Sequence, residues 1–244
     1  MNKAEKTIFD NFIVSDCNID AYKMCVSFLN DPQGKFIALF GPTASGKTYL
    51  LSALQKRYHL KCPNANIRVT TFDELISEYI EVLQCENKDQ RYTEFRAAIS
   101  NYDLLIVDNM QFIAGKTYTQ EEFSHWFLQM IHNNKSVILA FDRPAKYFDK
   151  VLDSVKCGCS DCHIVELKSA DSNFKKQYLD GLLENMNYDI PVTVRNVLIY
   201  DSSVPFHSFY GYISKLQFLE KIVGRQLSKA EMFECLTDYK HINK

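Results

Sequence analysis

The octapeptide Gly41-Pro42-Thr43-Ala44-Ser45-Gly46-Lys47-Thr48 limits what this chain can fold into more than any other stretch. Its spacing is GxxxxGK[ST]. It follows the apolar run Phe36-Ile37-Ala38-Leu39-Phe40 and precedes Leu50, Leu51 and Leu54 at helical spacing. A polyphosphate needs several backbone N–H donors converging on one small volume, and glycines at the turn positions let the backbone come that close. Gly41 and Gly46 fill those positions. The helix opening near Lys47 adds free amides and the positive end of its dipole, Lys47 adds a point charge for the outer phosphates, and Thr48 offers a hydroxyl to Mg²⁺. The motif places a nucleotide and leaves the reaction open.

The 244 residues suffice for one α/β domain of ordinary size and a small accessory one, and 46% of them are hydrophobic. A net charge of -2 provides no overall basic field for nonspecific nucleic-acid binding, though a local basic patch stays open. No apolar run reaches membrane-spanning length, and Met1-Asn2-Lys3-Ala4-Glu5-Lys6 is not followed by an apolar signal segment, so a cytoplasmic protein is expected. Most of the eight cysteines read as reduced, small hydrophobes.

In chain order, Phe9-Asp10-Asn11-Phe12 stands ahead of a helical pattern from Ala21 to Leu29. Its two aromatics either flank an adenine ring or anchor the core. Residues 66–71 read as a second strand, and Thr71 with Glu74 as a capping box for a helix carrying Leu75, Ile76, Tyr79, Ile80 and Leu83. A shorter helix follows with Arg91, Phe95, Arg96 and Ile99. Leu104-Leu105-Ile106-Val107-Asp108-Asn109 is a buried strand ending in an acid, and the C-terminal strand ends are where open parallel sheets bind ligands. Asp108 is therefore the candidate Mg²⁺ contact, together with Thr48. At the next position Asn109 can hold a water but cannot accept its proton, which predicts weak hydrolysis. Thr119 and Glu122 suggest the start of another helix, with Phe123, Phe127, Met130 and Ile131 on its apolar side. Ser136 to Ala140 form a fourth strand. Beyond it, Asp142 lies where a polar group can sense the γ-phosphate or its water. A fifth strand spans residues 163–167, and everything from Asp171 onward reads as helical. Strands alternating with helices predict an α/β parallel sheet covered on both faces.

The segments Phe9 to Phe12, Gly41 to Thr48, Leu105 to Phe112, Gln120 to Phe123 and Asp142-Arg143-Pro144 together resemble, in order and spacing, the AAA+ domain of the bacterial replication initiator DnaA. The resemblance implies a P-loop core over residues 1–168 with a small helical lid over 169–244. It places Phe9, Asp10, Asn11 and Phe12 beside the adenine of ATP or ADP. The chain stops at Lys244 without a DNA-reading helix-turn-helix, which resembles the short Hda-type relatives that promote inactivation of ATP-bound DnaA. This implies regulation of replication initiation, with DnaA and the polymerase sliding clamp as partners and self-association as a further option. The alternative is an ATP-dependent DNA-binding initiator or loader. Two departures from the family pattern bear on activity. Ser154-Val155-Lys156-Cys157-Gly158 lacks the expected arginine finger, and the lid's sensor arginine falls near Tyr210. The family does not account for Cys157, Cys159, Cys162 and His163; they read as a loop of free thiols, with a metal site as the alternative.

Overall fold

In the computed structural model, residues 12–142, 153 and 161–242 are described. These described residues divide into two units, one made of Phe12 and those within 18–169, the other of those within 13–17 and 170–242.

The first unit is built on five parallel strands: β1 (Phe36–Phe40), β2 (Ile67–Thr71), β3 (Leu104–Asp108), β4 (Ser136–Phe141) and β5 (Cys162–Glu166). Their order across the sheet is β2-β3-β4-β1-β5. Sequence composition explains which strands are central. β1 and β4 are buried along their full length and β3 along all but its last residue, as continuous apolar runs require when helices cover both faces. β2 and β5 alternate more and form the edges. Parallel neighbours need crossovers, and helices supply them here: α1 (Ile19–Asn30) precedes the sheet, followed by α2 (Lys47–Lys61), α3 (Phe72–Gln84), α4 (Lys88–Ser100) and α5 (Thr117–His132).

Register decides what meets at the strand ends. Phe40 pairs with Phe141, so Gly41 and Asp142 leave adjacent strands at the same level. Val107 pairs with Leu139, which puts Asp108 one step further on, level with Ala140.

The helix starts are encoded locally at α3 and by packing at α5. At α3 the Thr71 hydroxyl accepts from Glu74 N at 3.3 Å while the Glu74 carboxylate accepts from Thr71 N at 2.9 Å, the expected capping box. α5 differs from the sequence expectation. It begins at Thr117, with no side-chain cap, and Thr119 lies inside it. Glu122 serves the core instead, where its carboxylate accepts from Trp126 Nε1 at 3.0 Å and from the Tyr92 hydroxyl. Trp126 is buried in an aromatic cluster, edge-on to Tyr79 at 5.0 Å and Phe95 at 5.3 Å, and its N–H needs an acceptor there.

Four helices are described in the second unit: α6 (Ser172–Asn185), α7 (Val192–Tyr200), α8 (Phe209–Val223) and α9 (Lys229–Ile242). They close on Leu179, Val194, Leu198, Phe209, Tyr212, Ile213 and Leu216, and the Tyr212 hydroxyl donates to Met232 O at 2.6 Å. Residues 13–17 join this unit through Asp171, the N-cap of α6. One oxygen of Asp171 accepts from Phe174 N at 2.7 Å and the other from Cys17 N at 3.2 Å. Lys175 is buried and donates to Val204 O at 2.9 Å and Asp201 O at 3.2 Å, so burial lowers its pKa while two carbonyls of the segment that follows α7 gain a donor.

α9 begins on a second capping box, in which Glu231 Oε2 accepts from Ser228 N at 2.7 Å and Arg225 grips the same carboxylate at 2.7 and 3.0 Å. These contacts pull the Glu231 pKa from 4.5 to about 2, Arg225 first among them. A depressed carboxylate contributes stability in full above its unfolded pKa and loses it as pH falls through the folded one. Glu231→Gln is therefore expected to lower the thermal midpoint at pH 7, and its difference from wild type to shrink between pH 4.5 and about 2, followed by circular dichroism.

Candidate functional site

α2 starts at Lys47 directly after Gly46, which sits at φ 93°, a left-handed conformation that only glycine adopts freely. The first intrahelical bond is Leu50 N to Gly46 O at 2.9 Å. The amides of residues 46–49 therefore lie in the first turn, where a helix leaves its donors without intrahelical partners and presents the positive end of its dipole. Two loop amides have other duties, Gly41 N donating to Phe141 O and Ser45 N to Pro42 O, both at 3.1 Å, and these bonds shape the loop. Ala44 also holds a positive φ of 61°. For a residue with a Cβ this costs about 1–2 kcal/mol, strain of the kind concentrated where a backbone must wrap a ligand.

Lys47 is folded into this loop. Its Nζ donates to Gly41 O at 2.8 Å, Pro42 O at 2.9 Å and Ser45 Oγ at 3.4 Å. Burial lowers its pKa, and the carboxylates of Asp108 and Asp142 act in the opposite direction.

Asp108 connects the second side of the site. Its Oδ2 accepts from Thr48 Oγ1 at 2.7 Å across 60 residues of sequence, and its Oδ1 accepts from Asn109 N at 2.8 Å. Asn109 takes a left-handed conformation, φ 58° and ψ 34°, which asparagine tolerates better than other residues with a side chain. A turn of 3-10 helix, Met110–Ile113, follows. In it Gln111 is buried with its Nε2 3.5 Å from Asn109 Oδ1, a long hydrogen bond, and among the described residues its Oε1 has no partner. Burying such an oxygen costs about 1–3 kcal/mol.

The structure thus brings Gly41, Pro42, Thr43, Ala44, Ser45, Gly46, Lys47, Thr48, Asp108, Asn109 and Asp142 to one end of the sheet. Phe12 stacks on Tyr22 with ring centroids 6.1 Å apart and on Tyr49 at 5.9 Å. Phe9, Asp10 and Asn11 lie outside the described residues, as do Arg143, Lys156, Cys157 and Cys159. Cys162 lies on β5, His163 pairs with Asp161, and among the described residues no cluster can hold a metal through histidine, cysteine and carboxylate side chains. Tyr210 is exposed on α8.

Two residues escaped the sequence reading. Tyr49 is half exposed and directly follows Thr48; its contact with Phe12 is what marks it, and no local pattern does. Gln111 interrupts the apolar series Met110, Phe112, Ile113, and a lone amide in such a run was the available signal.

The Thr48 hydroxyl, the Asp108 carboxylate, the Lys47 ammonium and a row of helix-start amides lie together, a chemistry that suits a polyphosphate and a hard cation. No helix among the described residues is long and apolar enough to cross a membrane. The initiator protein DnaA of Roseobacter denitrificans is 29% identical over 241 residues, covering 94% of this chain and 51% of the relative, so the chain spans about half the length of that protein. Domain III of the Thermotoga maritima initiator DnaA superimposes with a TM-score of 0.78 at 22% identity, over 98% of both chains. A replication initiator DnaA bound to AMPPCP and single-stranded DNA superimposes with a TM-score of 0.71 at 27% identity, over 86% of this chain and 64% of that one. Residues 3–162 match the family described as the bacterial DnaA ATPase domain, and the chain belongs to that family.

Proposed function

We propose that this chain binds ATP or ADP together with Mg²⁺ in the loop Gly41 to Thr48 and acts as a nucleotide-dependent regulator of chromosomal replication initiation, docking on DnaA as its resemblance to Hda-type proteins implies. The observation that carries the nucleotide reading is the 2.7 Å bond from Thr48 to Asp108 beside a lysine already folded among the loop carbonyls. Lys47 and the amides of residues 46–49 bind the phosphates. Thr48 and Asp108 offer the hydroxyl and carboxylate that suit Mg²⁺, a cation that takes few protein oxygens and keeps phosphate and water as its other ligands. When bound, Mg²⁺ neutralises charge on the phosphate oxygens. Phe12 and Tyr49 offer the side on which the base rests, and the family resemblance assigns Phe9, Asp10 and Asn11 to the same adenine contact.

Hydrolysis is weak or nil in this reading. Asp108 has both oxygens engaged, and Asn109 offers an amide where a general base would need a carboxylate. Asp142 lies at the level of Gly41 and bears on the terminal phosphate.

A second reading is a DNA-binding initiator or loader, supported by the relative bound to AMPPCP and single-stranded DNA. One experiment separates the two. The protein and its Thr48→Val variant are tested for capture of DnaA and sliding clamp in ATP and in ADP, with phosphate release and anisotropy of labelled single-stranded DNA followed alongside. Capture of DnaA that depends on nucleotide and is lost in the variant is the expected result. Retention of DNA without DnaA supports the second reading, and no nucleotide binding at all sinks both.

A further inference from the structure

The amide pair that follows Asp108 has a feature that packing does not account for. Gln111 is 8% exposed, and a methionine or leucine would fill the same volume with no oxygen to satisfy. Its Nε2 lies 3.5 Å from Asn109 Oδ1, and its Oε1 has no partner among the described residues. An amide has one acceptor end and one donor end, so drawing Oδ1 of Asn109 toward Gln111 turns its Nδ2 the other way. The Asn109 backbone is itself fixed, by its left-handed φ of 58° and by its N–H bonded to Asp108 Oδ1 at 2.8 Å. Asp108 in turn holds the Thr48 hydroxyl. Asn109 is exposed, so its outward end is open to a ligand.

We propose that Gln111 is a positioning residue that turns the Asn109 amide so that its N–H donors, and not its oxygen, meet the nucleotide, making the pair a reader of the terminal phosphate. A donor suits an anionic phosphate oxygen. It does not suit the activation of a water, which requires an acceptor. The β3 end thereby tells a triphosphate from a diphosphate. The proposal rests on the nucleotide-binding reading above, because without a nucleotide there is no phosphate to read.

The test compares the affinities of AMPPCP and ADP for wild type, Gln111→Leu, Gln111→Met, Asn109→Ala and the Gln111→Leu/Asn109→Ala double variant, by titration calorimetry. Wild type is expected to prefer AMPPCP. Gln111→Leu is expected to weaken AMPPCP about tenfold, equivalent to about 1.4 kcal/mol, and ADP by less than about twofold. Asn109→Ala should do the same, and the double variant should add nothing further, because the two residues act through one donor. Equal weakening of both nucleotides, no weakening, or independent losses in the double variant overturn the proposal. Asn109→Ala, at an exposed position, keeps the test decisive even where substitution of Gln111 prevents folding, since retained preference for AMPPCP in that variant sinks it. Failure of wild type to bind either nucleotide removes the nucleotide reading itself, and this proposal with it.

Discussion

Lys47→Ala is expected to lower the affinity for ATP and ADP about 100-fold. The lysine is the one ammonium folded into the loop among the described residues, and burial has already stripped part of its water. Hydrogen bonds to charged groups contribute about 1.5–3 kcal/mol, and each 1.4 kcal/mol is tenfold in affinity. In the free protein the change removes donors from Gly41 O, Pro42 O and Ser45 Oγ, so the loop also loses its internal clasp. Titration calorimetry with Mg-ATP and Mg-ADP measures the first effect. An affinity within about threefold of wild type would show that the phosphates bind elsewhere.

Gly41→Ala is expected to cost about 2 kcal/mol of stability and to weaken nucleotide binding along with it. A Cβ on Gly41 would stand 2.6 Å from Leu167 O, 2.8 Å from Ser45 Oγ and 3.0 Å from Leu167 Cβ. The first of these is backbone, held by Leu167 N donating to Phe40 O at 2.6 Å, so it cannot swing aside as a side-chain tip would. Forcing atoms into a packed site typically costs about 1–3 kcal/mol. In a domain of this size that is a fall in the thermal midpoint of about 4–8 °C. Gly46→Ala is the contrasting case. Nothing lies within 4 Å of its Cβ, so its penalty comes from the φ of 93° alone. A smaller effect at Gly41 than at Gly46, in thermal melts of the two variants, would contradict the contact argument.

Much of the fold and of the site was legible because it is local. The run of apolar residues in β1, β3 and β4, the capping box at Thr71, and the glycines around the phosphate loop each act over a few residues, and a few residues are what a sequence pattern displays. The loop geometry follows almost directly from Gly41, Gly46 and Lys47, since backbone conformation and helix start are set by neighbours in the chain.

What the tertiary structure alone decided are the meetings between distant segments. The order β2-β3-β4-β1-β5 places β3 two strands from β1, and this carries Asp108 to the Thr48 hydroxyl. Glu122 reads as a helix cap until Trp126 and Tyr92 are seen to need its carboxylate. Residues 13–17 precede α1 in the chain but group with the helical unit, where Asp171 accepts from Cys17 N. Tyr49 and Gln111 belong here too. One is marked by the ring of Phe12, far back in the chain, the other by a buried oxygen left without a donor among the described residues. A sequence specifies such contacts only through the whole packed chain, because burial, register and the hydrogen bonds they demand are properties of neighbours in space.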